Sequence, residues 1–151
     1  MREILFRGKS VNNGEWVYGS LVITTLEPVD DAPIKHYHIE DMTIGCFPNE
    51  FQSGLSETID PNTVGQFTGL YNAANQKIWE GDIVRFGNAN FVVQREDETP
   101  GGYWASTAYI MKEIGVCDYM SFVDTIDDYY NEICVEIIGN IHDNPELLEV
   151  E

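Results

Sequence analysis

The sequence predicts a mainly β protein, and three observations support this fold class. Segments rich in β-branched and aromatic residues recur along the 151-residue chain, separated by clusters of Gly, Asn, Asp and Pro. Asn12-Asn13-Gly14 lies between two such segments and is a strong hairpin signal. Glu80-Gly81-Asp82 directly precedes an alternating apolar run, as expected of a tight turn that enters a strand. With 43% hydrophobic residues, the chain can bury a core.

The N-terminal part of the chain is predicted to begin with a hairpin. Residues 4–8 and 15–23 form its two strands, because both segments are rich in β-branched and aromatic residues. Residues 35–39 are predicted as a further strand, which follows the turn-rich segment 28–33.

The middle of the chain predicts two more strand pairs. Residues 63–70 and 77–80 form the first pair, separated by a polar stretch. Residues 82–86 and 91–95 form the second pair, which is a meander with a short turn.

The last third of the chain is harder to assign. Residues 96–102 are predicted to be a charged loop, and residues 103–109 resume a strand-like pattern. The periodicity of residues 110–131 fits both strand and a short helix. Residues 135–141 predict a final strand, and in residues 143–148 Pro145 suits the first position of one helical turn.

The charge of the chain is strongly acidic and unevenly distributed. There are 26 acidic and 8 basic residues, which gives a formal net charge of −18. Residues 1–95 hold 7 basic and 12 acidic residues (net −5), whereas residues 96–151 hold 1 and 14 (net −13). Because nucleic-acid binding depends mainly on Lys and Arg, we expect no direct nucleic-acid binding.

The cellular context predicted from the sequence is the cytoplasm. The N-terminus lacks the apolar stretch of a signal peptide, and no run approaches the roughly 20 apolar residues of a membrane span. Cys46, Cys117 and Cys134 are an odd number of cysteines without Cys-x-x-Cys spacing, as expected of reduced thiols. We expect no membrane partner.

Several sequence blocks resemble, in order, the YopX-like family of small phage and prophage proteins, which have no assigned biochemical activity. The blocks are Met1–Ile4 with Phe6–Lys9, Trp16–Gly19, Val64–Leu70, Ile78–Val84 and Ile138–Leu148. The resemblance implies an N-terminal β segment (1–60) followed by an SH3-like small β-barrel (61–151). No family block can be placed in the acidic insert at about 96–131. The resemblance also implies a protein of the bacterial host cell.

The polar residues of these blocks allow two interpretations. In the first, Gly69, Gly81 and Gly139 serve turns and strand edges, while Asp82, Asn140 and Asn144 bind nearby backbone. In the second, a polar cluster contacts a ligand. The members of that cluster are Gln66, Thr68, Glu80 and Asp82.

No metal or cofactor is expected. His36 and His38 would share one face of a strand with Glu40, but zinc needs three or four converging ligands, and His142 is far away in sequence. The acidic residues after Ser121 lack the pattern of an EF-hand loop and are interpreted as a solvated face.

An enzyme is not expected either, because the chain has no nucleophile elbow, no phosphate-binding glycine loop and no Gly-x-Gly-x-x-Gly motif. A weak metal-dependent enzyme or a ligand-binding protein is the third-ranked hypothesis.

Two non-enzymatic hypotheses rank above it. The first is an interaction module that presents exposed aromatics such as Trp79, Tyr103 and Trp104 to a protein partner, or to further copies of itself in a homo-oligomer. The second is an acidic mimic of nucleic acid that blocks a basic host protein. Its surface would consist of Asp124, Asp127, Asp128, Glu132 and Glu136.

Overall fold

The computed structural model describes residues 4–27, 32–40, 56–95, 109–116, 118–127 and 132–149. The predicted mainly β class is confirmed, because eleven strands account for most of the described chain. They are β1 Phe6–Lys9, β2 Trp16–Leu26, β3 Ile34–Glu40, β4 Ser56–Thr58, β5 Gly65–Tyr71, β6 Lys77–Trp79, β7 Asp82–Phe86, β8 Ala89–Arg95, β9 Tyr109–Glu113, β10 Tyr119–Ser121 and β11 Glu136–Asn140.

The helical elements of the described residues are single 3-10 turns. They comprise Pro61–Thr63, Phe122–Thr125 and Pro145–Leu148. None of the helical segments in this part of the chain has the length and apolar character needed to cross a membrane. The chain divides into two compact units, Met1–Gln66 and Phe67–Glu151.

The N-terminal unit is an antiparallel sheet in the order β4-β3-β2-β1-β5. The predicted hairpin is confirmed: β1 and β2 pair around the Asn-Asn-Gly turn, where Gly14 has φ 72° and its N–H donates to Ser10 O at 2.9 Å. Strand β3 then pairs with β2 along seven residues without a bulge. The first two residues of β5, Gly65 and Gln66, pair with β1.

Residues of the family blocks form the cation–π contacts of Trp16 and the close approach of β3 to Gly19 in the first strands. The Arg7 guanidinium lies 4.7 Å from the centre of the Trp16 ring, and the Lys9 ammonium lies 5.5 Å from it, so both cations stack on one aromatic side chain. Gly19 is buried under the backbone of Glu40, and an added Cβ would lie 2.9 Å from the Glu40 carbonyl carbon. These contacts hold β1 and β3 against β2.

A carboxylate links the hairpin turn to β4. The Ser10 hydroxyl donates to Glu57 Oε1, and Asn12 Nδ2 donates to the same oxygen at 2.8 Å. The hydrogen bond from Ser10, followed by that from Asn12, holds the pKa of the Glu57 carboxyl below its usual value. The ionised carboxylate therefore stabilises the folded state.

We expect Glu57→Gln to lower stability at neutral pH and to lose this effect in acid. Because the folded pKa is depressed, the stabilisation is complete above the carboxyl's unfolded pKa and disappears as pH falls through the folded value. Urea unfolding midpoints of wild type and Glu57→Gln should converge as the pH is lowered. Exposed Glu149→Gln is the control for replacing a surface carboxylate outside this hydrogen-bond network. A gap that stays the same down to the acid transition would contradict this role.

The C-terminal unit contains the second sheet, in the order β10-β9-β8-β7-β11, and the pair formed by β6 with the later part of β5. The predicted Gly-Asp turn is confirmed: Gly81 has φ 84°, and β7 begins at Asp82. Side chains from these strands and from the segments that follow them form one buried apolar cluster. Its members are Ile78, Val84, Phe91, Val93, Tyr109, Met111, Phe122 and Val135.

For the described part of residues 110–131, the structure shows which residues form strands and which form a helical turn. Met111 pairs with Val93, so β9 continues the meander, and Tyr119–Ser121 adds the next strand. The helical part is limited to the 3-10 turn Phe122–Thr125. The second sheet begins at β10 and ends at β11, and no closed barrel is found among the described strands. The predictions for residues 28–31 and 96–108 lie outside the described residues.

Candidate functional site

The buried members of the predicted polar cluster bind their own backbone. Thr68 is fully buried, and its hydroxyl donates to Ile78 O at 2.7 Å across the β5–β6 pair. Asp82 is 2% exposed, and its Oδ2 accepts from Trp79 N–H at 2.8 Å across the turn. These distances agree with the structural interpretation of the block.

The remaining contact residues are dispersed. Gln66 is half-buried in the N-terminal unit, where it pairs with Phe6, and half-buried Glu80 lies in the turn before β7. Trp79 is only 7% exposed, because its ring packs 5.5 Å from that of Phe67, so the expectation that it is presented at the surface is wrong. Tyr103 and Trp104 lie outside the described residues.

The acidic residues are placed in three local settings of the C-terminal unit. Asp124 Oδ2 accepts from Ser121 N–H at 3.1 Å at the start of a 3-10 turn. Asp127 N–H donates to Glu132 O at 2.9 Å, which makes these two residues neighbours. Glu136 lies 3.8 Å from Arg85 in an exposed ion pair. Asp128 lies outside the described residues.

The histidine pair forms as predicted, but within the described part of the chain no further metal ligand lies beside it. The rings of His36 and His38 stack with centroids 6.3 Å apart, and His38 Nδ1 lies 3.2 Å from Thr58 Oγ1. His142 belongs to the other unit, and Cys134 is a free, exposed thiol. Among the described residues, no group of three or more His, Cys, Asp or Glu is arranged to hold a metal ion. Cys46 and Cys117 lie outside them.

The last family block builds a turn. Asn140 Oδ1 accepts from the N–H groups of His142 and Asp143, each at 3.0 Å, and Asn144 Oδ1 accepts from Asn140 N–H at 3.3 Å. A Cβ on Gly139 would lie 2.8 Å from Asn144 Cγ. The block's conspicuous polar residues thus serve the chain's own backbone.

A surface that the sequence reasoning missed lies at the far end of β2 and β3. Among the described residues, 23–26 and 34–37 pair in strand ladders only with each other, because the β1 ladder ends at Gly19 and the β4 ladder ends at His38. We call these eight residues the arm. At its base, Tyr37 O accepts from Ile59 N–H at 3.0 Å.

The arm exposes large apolar side chains on both faces. Ile23, Leu26 and Ile34 are 49%, 57% and 51% exposed. Leu26 pairs with Ile34 on one face, and Ile23 pairs with Tyr37 on the other. The sequence signal was the run Leu21-Val22-Ile23, which breaks the alternation of a strand with one polar face.

No described strand pairs with the outer edges of the arm, and these edges differ from the other sheet edges that the structure describes. Strands β4, β6 and β10 are three residues long, and β11 carries Glu136 and a register shift between Ile137 and Gly139. Short, charged or bulged edges resist pairing with another chain. Strand β2 has eleven residues without a charge, a proline or a bulge against β3.

Comparisons with known proteins give a family and a structural likeness. The model of the YopX protein family matches residues 5–149. No curated protein matches the chain significantly. Among solved structures, the crystal structure of protein EF1440 from Enterococcus faecalis is similar, with 22% identity and a TM-score of 0.39. The match covers 99% of this chain and 100% of that chain.

Proposed function

The chain belongs to the YopX protein family, and we propose that it is a non-enzymatic protein-interaction module that uses the arm as its contact surface. The observation that carries the proposal is the exposure of Ile23, Leu26 and Ile34 on a two-stranded ribbon. Such a ribbon is marginal alone, and its open edges favour pairing with another chain. The arm therefore fits recognition by addition of a strand to a partner's sheet.

The non-enzymatic part of the proposal is supported by how the polar residues are used. Thr68 and Asp82 are buried and bound to backbone, as is expected of groups that hold a turn. Groups engaged in this way are poorly placed to exchange protons with a substrate. We further propose, from the family resemblance, a phage or prophage accessory role in the cytoplasm of a bacterial host.

We also propose that the C-terminal unit is an SH3-like barrel. The meander β7-β8-β9-β10, with β11 beside β7, is an order that supports closure of the C-terminal sheet. Ile133 forms bridges to both Asn72 and Ile126, which adds a connection beyond the five main strands.

We expect Ile23→Lys to abolish most partner capture from a bacterial host extract. A lysine on an open strand edge opposes pairing with another chain. Because Ile23 is half exposed, the urea midpoint should stay close to that of wild type. Val116→Lys is the matched control, since Val116 is 51% exposed in the other unit and should leave capture unchanged. Equal capture by wild type and Ile23→Lys would contradict the proposal.

Acidic mimicry is the second candidate, because Asp124, Glu132 and Glu136 are exposed. The same capture experiment separates the two. A basic partner that binds only at low salt and is retained by Ile23→Lys would favour mimicry, since the attraction between exposed charges is screened by salt.

A further inference from the structure

We infer that a second copy of this chain occupies the arm, and that the two β2 strands pair antiparallel across a two-fold axis through Thr24. This inference rests on the proposed function, because it names the partner of the same surface. It follows from the hydrogen-bonding edge of β2, from the side chains along that edge and from the absence of charged residues in β2.

The backbone groups on the open edge of β2 can be assigned from the adjoining ladder. Ser10 N–H donates to Glu15 O at 2.9 Å at the end of the β1–β2 ladder. Hydrogen-bonded pairs alternate along an antiparallel ladder, so odd-numbered residues of β2 direct their backbone groups toward β1. The β1–β2 ladder ends at Gly19, so the N–H and C=O groups of Ile23 and Thr25 lie on an edge with which no described strand pairs.

An axis through Thr24 satisfies these groups without displacing β1. Ile23 of one copy would pair with Thr25 of the other, and the two equivalent pairs would exchange about four N–H···O bonds. At the axis, Thr24 of one copy would lie opposite Thr24 of the other, and this pair would exchange no backbone hydrogen bonds. Val22 would lie opposite Leu26 of the second copy, which buries apolar surface on that face.

Each copy carries a net charge of −18, so the contact must lie where repulsion between the copies is small. Strand β2 contains no charged residue, and the next acidic residue along the arm is Glu27. In the proposed register, Glu27 lies opposite Leu21 of the second copy. The two Glu27 positions are then six residues apart along the strand, roughly 20 Å, which exceeds the Debye length of about 8 Å at physiological salt.

Disulfide trapping tests the register. In a chain whose three cysteines are replaced by serine, Thr24→Cys should give about tenfold more disulfide-linked dimer than Leu26→Cys, because a disulfide requires Cα atoms within about 7 Å. Leu26 is the matched control: it lies on the same exposed face of the arm, but its two copies would be about 14 Å apart. Sedimentation of the unmodified wild type tests the dimer without any cysteine variant. It should show a reversible dimer that Ile23→Lys removes.

Each remaining outcome overturns the inference. A wild type that is monomeric over a wide concentration range excludes the second copy, and equal cross-linking of Thr24→Cys and Leu26→Cys excludes the two-fold register. Failure of the proposed function is distinguishable from failure of the dimer.

If the wild type is monomeric but Ile23→Lys still loses a captured partner, only the inference of a second copy is wrong. If the wild type is monomeric and Ile23→Lys captures the same partners, both the inference and the proposed function are wrong.

Discussion

Replacing Asp82 by alanine is expected to lower the free energy of unfolding by about 3 kcal/mol, the cost of leaving a buried donor unpaired and losing a charge-assisted hydrogen bond. The carboxylate is 2% exposed and accepts from Trp79 N–H at 2.8 Å, so the substitution leaves that amide without its acceptor inside the protein. Urea unfolding followed by tryptophan fluorescence would measure the loss.

Asp82→Asn is the informative companion variant. Its side-chain oxygen can still accept from Trp79 N–H, so it should recover part of the loss seen with alanine, since a neutral acceptor retains the hydrogen bond without the charge. If the alanine variant loses less than about 0.5 kcal/mol, within the range of ordinary surface substitutions, the turn does not depend on this carboxylate.

Gly19→Ala is expected to destabilise the N-terminal unit by about 3 kcal/mol, at the upper end of the cost of overpacking. A Cβ at Gly19 would meet the backbone oxygen of Glu40 and lie 2.9 Å from its carbonyl carbon, so the β2–β3 pairing would have to shift. Denaturant unfolding reports the stability, and hydrogen exchange along residues 20–26 reports the pairing.

Gly87→Ala separates crowding from backbone strain. Gly87 has φ 60°, with open space where its Cβ would lie, so alanine there should cost only about 1 kcal/mol through its backbone conformation. A loss at Gly19 no larger than that at Gly87 would mean that the approach of β3 to β2 tolerates a methyl group.

The parts of the fold that could be predicted are those set by local backbone chemistry. Asn12-Asn13-Gly14 and Glu80-Gly81-Asp82 each specify a turn through residues that adopt positive φ or bind nearby N–H groups. The strands on either side of these turns were predicted from their β-branched and aromatic residues. Residues 110–131 lacked such a signal, and β9 is fixed instead by its pairing with β8, which is distant in sequence.

Exposure of side chains could not be predicted from the same patterns. Trp79 looked like a surface anchor, but its burial depends on Phe67, which lies on the neighbouring strand. The exposure of Ile23 and Leu26, which lie on β2 beyond the β1 ladder, was not predicted from the sequence. The burial of Trp79 and the exposure of Ile23 and Leu26 depend on where a neighbouring strand lies or stops, which a single strand's composition does not specify.

The family blocks have a physical explanation that does not require a catalytic site. Asp82, Asn140 and Asn144 bind backbone at turns, and Gly19 and Gly139 lie where a Cβ would collide with neighbouring atoms. A shared framework of this kind can carry different surfaces. The arm is a described surface whose apolar exposure this framework does not explain.

Parallel capture by wild type, Ile23→Lys and Val116→Lys from a bacterial host extract decides whether the arm is a protein contact surface. We expect wild type and Val116→Lys to retain the same partners, whether further copies of the chain or a host protein, and Ile23→Lys to lose them at unchanged stability. Retention of the same partners by all three proteins would contradict the proposed role of the arm.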